Sequence, residues 1–289
     1  MRSKTLLVAG AVAATLALAG CGPMDITGTA APQGQQARQG SGFHGTTQAS
    51  TVADLGAAVQ HNTAQHNSVH VTMAMSVPEI GSINSTGDLT FHPALAEHLT
   101  MAMPALGGAM EMVLVHGTMY LKLPTSVSGA LGETGKPWTK IDLGADSALT
   151  QSLGSTADLA NQADPATLIQ KIAAAGTITK VTHETVNGVA TTHYAITVDV
   201  AKMAASLSGE PAEQRAQQEL RQDGVRSVPF DIWVDGDNLP TRIVTHVAYA
   251  EPTTGRSEQV TLTIAYTDWG KPVTITAPPA DQVGTLGGH

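Results

Sequence analysis

From residue 68 onward the chain alternates apolar and polar residues with a period of two, interrupted twice by helical spacing. Val69, Val71, Met73, Met75 and Val77 alternate with His70, Thr72, Ala74 and Ser76, the pattern of a strand with one buried face. Comparable runs bounded by Gly or Pro predict strands over 83–91, 97–103, 109–116, 118–123 and 137–142. Later, 177–186 and 189–200 flank Asn187-Gly188, a strong two-residue hairpin signal because both central positions need positive φ. Strands over 227–235, 239–250 and 258–268 bring the expected total to about eleven. Helical spacing appears first after Ser50 or Thr51, a capping hydroxyl ahead of Val52, Leu55 and Val59, and runs toward Gln65. It returns over about 145–175, where the clearest helix opens at Asp164-Pro165 and stops at Gly176. A polar stretch from 208 to 223 predicts a short exposed helix or a flap. Mostly sequential strands, with helices at the start and in the middle, indicate an antiparallel α+β domain.

The first fifty residues follow different rules. Arg2 and Lys4 precede an apolar stretch over 5–17, which is too short for the roughly 20 residues of a membrane-spanning helix. It ends at Leu18-Ala19-Gly20-Cys21, which holds the only cysteine of the chain. These four residues resemble the bacterial lipobox. The resemblance implies cleavage between Gly20 and Cys21, diacylglycerol on the Cys21 sulfur, and often a further acyl chain on the new amino group. Two or more acyl chains anchor stably where one is marginal. The alternative is an ordinary secretory signal followed by a chance cysteine, against which stands the unpaired thiol. Residues 22 to about 50 have almost no large apolar side chain beyond Ile26 and Phe43, so a disordered tether is expected, with a reach of roughly 30 Å. The expected organisation is a removed signal over 1–20, a lipidated cysteine and tether over 21–50, and a folded body over 51–289.

Charge and composition narrow the function. The 289-residue chain has 15 basic and 24 acidic side chains; losing Arg2 and Lys4 with the signal leaves 13 against 24, a formal charge of −11. No basic cluster offsets this, so nucleic-acid binding is set aside. Aromatic residues make up only 3%, so Val, Ile, Leu, Ala and Met must fill the core, without help from disulfides.

Catalytic signatures are missing. The sequence contains no G-x-S-x-G elbow, no H-E-x-x-H helix, no phosphate loop and no dinucleotide fingerprint, so no enzyme activity and no cofactor are expected. Its abundant Ser and Thr fit solvated strand faces. Eleven histidines invite a metal, but His61 and His66 are five apart, and a two-residue hairpin sends His183 and His193 to opposite faces. Hydrogen-bonded or exposed imidazoles are expected instead of a metal site. Methionine is the unusual feature. Met73 and Met75, Met101 and Met103, and Met110 and Met112 form three pairs at spacing two, each on one face of its strand, and Met119 can join them. Flexible, polarisable side chains of this kind either fill an ordinary core or line a surface that adapts to its ligand.

The C-terminal third carries a resemblance. It contains Pro229-Phe230-Asp231-Ile232-Trp233-Val234-Asp235-Gly236, then Leu239-Pro240-Thr241-Arg242, Tyr266-Thr267-Asp268-Trp269-Gly270-Lys271-Pro272-Val273 and Pro278-Pro279. With Trp138-Thr139-Lys140-Ile141-Asp142-Leu143, these residues resemble the LppX/LprAFG family of actinobacterial lipoproteins. The resemblance implies a LolA/LolB-like fold: a strongly curved antiparallel half-barrel wrapped over a few helices, with an apolar cavity between. It implies binding and carriage of acylated lipid or lipoglycan at the outer face of the cytoplasmic membrane, by a lipid-anchored monomer with a membrane transporter as a candidate partner. It transfers no lining residue. Strand alternation alone nominates Val71, Met73, Met75, Met101, Met103, Met110, Met112 and Leu114, with Ile196, Val198, Ile232 and Ile264 on later strands. The alternative function is a non-transporting structural or signal-sensing lipoprotein on the same fold.

Overall fold

The computed structural model describes residues 48–78, 81–92, 94–128, 135–142, 165–206, 225–250 and 257–285. The expected lipobox and most of the expected tether therefore lie outside the described residues. So do the expected polar segment over 208–223, the turn at 252–255, and the part of the helical interlude before Pro165.

The first six strands are β1 (Ser68–Val77), β2 (Gly81–Thr90), β3 (Ala96–Met103), β4 (Gly108–Val115), β5 (Thr118–Lys122) and β6 (Trp138–Asp142). The others are β7 (Gly176–Val186), β8 (Val189–Asp199), β9 (Ser227–Val234), β10 (Pro240–Ala250), β11 (Ser257–Thr267) and β12 (Val283–Thr285). They form one open sheet in the order β12-β6-β5-β4-β3-β2-β1-β11-β10-β9-β8-β7. Two meanders, β1 to β6 and β7 to β11, thus meet where β1 pairs with β11, Met73 opposite Ile264. Eleven of these strands match the alternating runs of the sequence. The twelfth corrects the expectation: β12 is parallel to β6, with Val283 opposite Trp138. Three residues containing a glycine carry no periodic signal. Their pairing comes from the segment before them, which leaves β11 with the Gly270 amide donating to the Ser68 carbonyl at 2.8 Å. On its way to β12 that segment packs Ile275, with Val283, against a small core of Ala96, Val113, Val115 and Trp138.

Turn chemistry sets the hairpins. Asn187 and Gly188 sit at φ 50° and 82°, as their sequence predicts, and His116-Gly117 makes the equivalent turn between β4 and β5 at 51° and 74°. At the β9–β10 turn, Asp235 Oδ1 accepts from the amides of Asp237 and Leu239, both at 2.9 Å.

The described helices are α1 (Val52–Thr63), the single turn α2 (Thr125–Ser128), α3 (Pro165–Ala173) and α4 (Val200–Ser206). Thr51 caps α1: its side chain accepts from the Asp54 amide at 3.0 Å, while Asp54 Oδ2 accepts from the Thr51 amide at 3.1 Å. The helix ends two residues before the expected Gln65, where the chain passes into turns: the Gln65 amide donates to the Asn62 carbonyl at 3.1 Å and the His66 amide to the Thr63 carbonyl at 2.9 Å. Thr63 Oγ1 donates to the Val59 carbonyl at 2.9 Å, and Asn62 Nδ2 to the Ala58 carbonyl at 3.1 Å. Helices α1 and α3 lie together. Gly56 allows this approach, since a Cβ there would sit 3.3 Å from Gln170 Cγ. Their shared apolar side presses Val52, Leu55, Val59, Leu168, Ile169 and Ile172 onto the sheet, where Val69, Tyr194, Ile196, Phe230, Ile232 and Ile243 complete the main core. The body also holds Ala49, whose amide donates to Tyr194 Oη at 3.1 Å.

If this helix layer holds the sheet, truncating the fully buried Leu55 to Ala should cost about 2–5 kcal/mol. Removing the cap with Thr51→Ala should cost about 1 kcal/mol. Urea unfolding of both variants measures this, and equal losses would contradict the packing described.

Candidate functional site

Residues directly opposite each other across paired strands share a face. The register therefore sorts the helix-facing side of β1 to β6 into rows, about 7 Å apart along the strands. One row is closed: Val69, Leu89, Glu97, Leu114, Met119 and Ile141 run across six strands. None of them is more than 8% exposed. The next row holds Val71, Gly87, Leu99, Met112 and Leu121. Beyond it come Met73, Ser85, Met101 and Met110, and then Met75 opposite Ile83. Met103 stands two residues past Met101 on the same face. Strand β11 extends the rows with Tyr266, Ile264 and Leu262 opposite Val71, Met73 and Met75.

All twelve residues nominated by alternation fall on this one face, but they divide by burial. Val71, Leu114, Ile196, Val198 and Ile232 are closed core. Met73, Met75 and Ile264 are half-buried against the main core. Met112 is half-buried against the cluster of Leu114, Met119 and Ile141. Met101, Met103 and Met110 are half-buried beyond any of the closed clusters. So the six paired methionines lie on one face of β1, β3 and β4, partly open to solvent, with Ser85 and Gly87 of β2 between the first pair and the others. Cys21 and Gly20 lie outside the described residues.

The methionine pairs led the sequence reading past Ile83, Leu99, Leu121 and Leu262, which share these rows and were legible from the same alternation. Glu97 was legible too, as a break in it. In β3, Leu99, Met101 and Met103 follow at spacing two, so Glu97 places a carboxyl at a core phase. It is 8% exposed, stands between Leu89 and Leu114, and no hydrogen bond or ion pair reaches its carboxyl among the described residues. Burial alone pushes its pKa up from 4.5 to about 7.

One end of the methionine face is sealed by aromatic rings. Trp269 stacks on Phe91 and Tyr266 at centroid distances of 6.5 and 5.9 Å, meets the edge of His66, and donates Nε1–H to the Pro240 carbonyl at 2.9 Å.

The opposite face of the sheet is chemically different. Its centre is a shallow groove of about 380 Å³, lined by Thr72, Ala74, Asn84, Thr86, Thr100, Ala102, Ala109 and Thr263 with contributions from Met73 and Ser85. Further along, His193 stacks on Trp233 at 4.3 Å, and the Arg242 guanidinium lies over the Trp233 ring, 5.1 Å from its centroid. His193 faces Asp231 at 2.7 Å and Glu184 at 3.1 Å. His183 is opposite Thr192 and His193 opposite Thr182, the hairpin register that separates the two imidazoles. Among the described residues, no group of three or more His, Cys, Asp or Glu side chains is placed to hold a metal ion.

No protein-family model matches the chain. In sequence it is similar to an uncharacterised 31.2 kDa protein of the rplA–rplJ intergenic region of Streptomyces griseus, 28% identical over 250 residues, or 82% of this chain and 79% of that one. Among solved structures it is similar to the lipoprotein LppX of Mycobacterium tuberculosis, at 14% identity and a TM-score of 0.45, covering 78% of this chain and 98% of that one. LprF of Mycobacterium bovis is similar at 16% identity and a TM-score of 0.45, covering 78% of this chain and 96% of that one. LppX and LprF belong to the group of lipoproteins that the C-terminal residues resemble.

Glu97 generates a pH prediction. Unfolded, its carboxyl ionises near 4.5, whereas the folded protein keeps the proton to about 7. The native state therefore binds more protons between those values, so stability falls as pH rises from about 4.5 to 7 and stays lowered above that. Glu97→Gln removes this loss. Its melting temperature should match wild type at pH 4 and exceed it at pH 8, a difference on the order of 3 kcal/mol in stability. An equal gap at both pH values would contradict the assignment.

Proposed function

We propose that the chain is a lipoprotein held at the outer face of the cytoplasmic membrane through acyl chains on Cys21, and that it binds an acylated lipid or lipoglycan and carries it within the cell envelope. Residues 1–20 are removed, 21–50 tether, and 51–289 bind. The sheet curves as a half-barrel over its helices, and the ligand's acyl chains lie in the apolar space between, against the methionine rows. One observation supports this reading more than any other. Ordinary core methionines are closed off, as Met119 is at 4% exposure, yet the six paired methionines are all half-buried on one face. Unbranched thioether side chains re-pack around ligands of different shape, which suits a carrier of flexible chains. The tether adds mobility. A body on a flexible leash of about 30 Å can load at the membrane and turn away from it. The protein works by binding, with no chemical step.

Enlarging a lining residue should separate binding from stability. Met75→Trp and Met103→Trp should weaken fluorescent-lipid binding about tenfold while costing less than about 1 kcal/mol, because the half-open rows have room. Leu114→Trp, in the closed row, should cost about 1–3 kcal/mol or more. Methionine variants that lose stability like Leu114→Trp, in a protein that binds no lipid, would contradict the proposal. The anchor is tested by feeding cells an alkynyl fatty acid: wild type should take the label and Cys21→Ala should not.

A further inference from the structure

We infer that Glu97 is a hydrogen-bonding anchor for the bound lipid, and that the site selects aliphatic ligands carrying an uncharged hydroxyl along the chain. This rests on the lipid-binding reading and names the chemistry within it.

Three observations lead there. The first is position. Glu97 lies in the closed row, one row from Leu99 and Met112 and two rows from Met101 and Met110, on the same face of the same strands. Binding at Glu97 opens that closed row: an acyl chain resting on the methionines and running along the strands covers roughly 7–14 Å to reach it. Second is isolation. Its cross-strand partners Leu89 and Leu114 are apolar, and the charged side chains nearby on these strands, Asp88, His98 and Glu111, stand on the opposite face. On that outer face Asp88 pairs with His70 at 2.7 Å and Glu111 with Lys122 at 2.8 Å. On the inner face, no such partner reaches the Glu97 carboxyl among the described residues. A buried polar group without a partner is costly, and a ligand that supplies the partner recovers that cost on binding.

The third observation is the form of the carboxyl. Burial keeps it largely protonated up to about pH 7, so it presents one O–H donor and one carbonyl acceptor. A lipid hydroxyl complements both, donating to the carbonyl oxygen and accepting from the O–H. A saturated chain offers neither, and a cationic amine would require the carboxyl to ionise in an apolar row.

The test compares two esters that differ by one hydroxyl, methyl stearate and methyl 12-hydroxystearate. The full lipidated chain is placed in nanodiscs of a single phospholipid loaded with equal mole fractions of both, and native mass spectrometry reads the two bound populations in one spectrum. Wild type should carry the hydroxy ester in about tenfold excess, the range of one hydrogen bond to an otherwise unsatisfied buried group. Glu97→Gln, which still offers a donor and an acceptor, should keep the preference. Glu97→Leu should carry the two esters about equally, and should fold at least as well, because it removes a buried polar group. Equal populations on wild type, or an undiminished preference in Glu97→Leu, would overturn the anchor and leave lipid binding standing. If neither ester is found on wild type, lipid binding falls and the anchor falls with it.

Discussion

The unbroken register from β11 through β1 to β6 is the constraint on which the rest of the structure depends. Side chains alternate across a sheet with a period of two, so a slip of one residue anywhere in that span would send every later side chain to the other face. Bulges do occur in this sheet, between Ile178 and Lys180 in β7 and between Pro240 and Arg242 in β10. Both lie in the other meander. Within β1 to β6 the pairing runs without a shift, so Met73, Met101, Met110 and Met112, which are far apart in sequence, reach one surface. The same phase collects threonine, alanine and asparagine on the opposite face.

Given that register, the helices decide what the methionine face becomes. Helices α1 and α3 close the sheet over Tyr194, Ile196, Phe230, Ile232 and Ile243, and there the side chains are branched or aromatic and fully packed. Toward β3 and β4 the packing loosens and the composition changes to methionine. With aromatic residues at 3% of the chain, rings are scarce, and Trp269, Phe91 and Tyr266 are gathered at one end beside the closed row. The result is a surface sealed below and partly open above. That asymmetry is what the proposed binding face needs and an ordinary core does not, because a core gains most by excluding water everywhere.

Much of this was legible in the sequence, because period-two alternation and turn chemistry are local signals. Asn187-Gly188 fixed a hairpin, and Thr51 with Asp54 fixed the start of a helix, each through contacts within four residues. β12 was not legible, since it pairs only after the chain has crossed the sheet from β11, and its three residues contain no pattern of their own. The division between half-buried methionines and closed Val198 or Ile232 was also hidden. All of them alternate alike, and among the described residues it is α1 and α3 that pack into one core with Val198 and Ile232. Glu97 was visible as a charge at a core phase, but that no partner reaches it among the described residues is a fact of three dimensions.

Photochemical labelling tests whether acyl chains lie on the methionine rows. A phospholipid with a diazirine in one acyl chain, irradiated with the full lipidated protein, marks whatever side chains touch the chain. If acyl chains lie there, adducts form on the helix-facing residues of β1, β3 and β4, at Met73, Met75, Met101, Met103, Met110 and Met112. Adducts confined to Thr72, Ala74, Thr100 and Ala102 in the groove on the opposite face, or no adducts on the sheet at all, would contradict it.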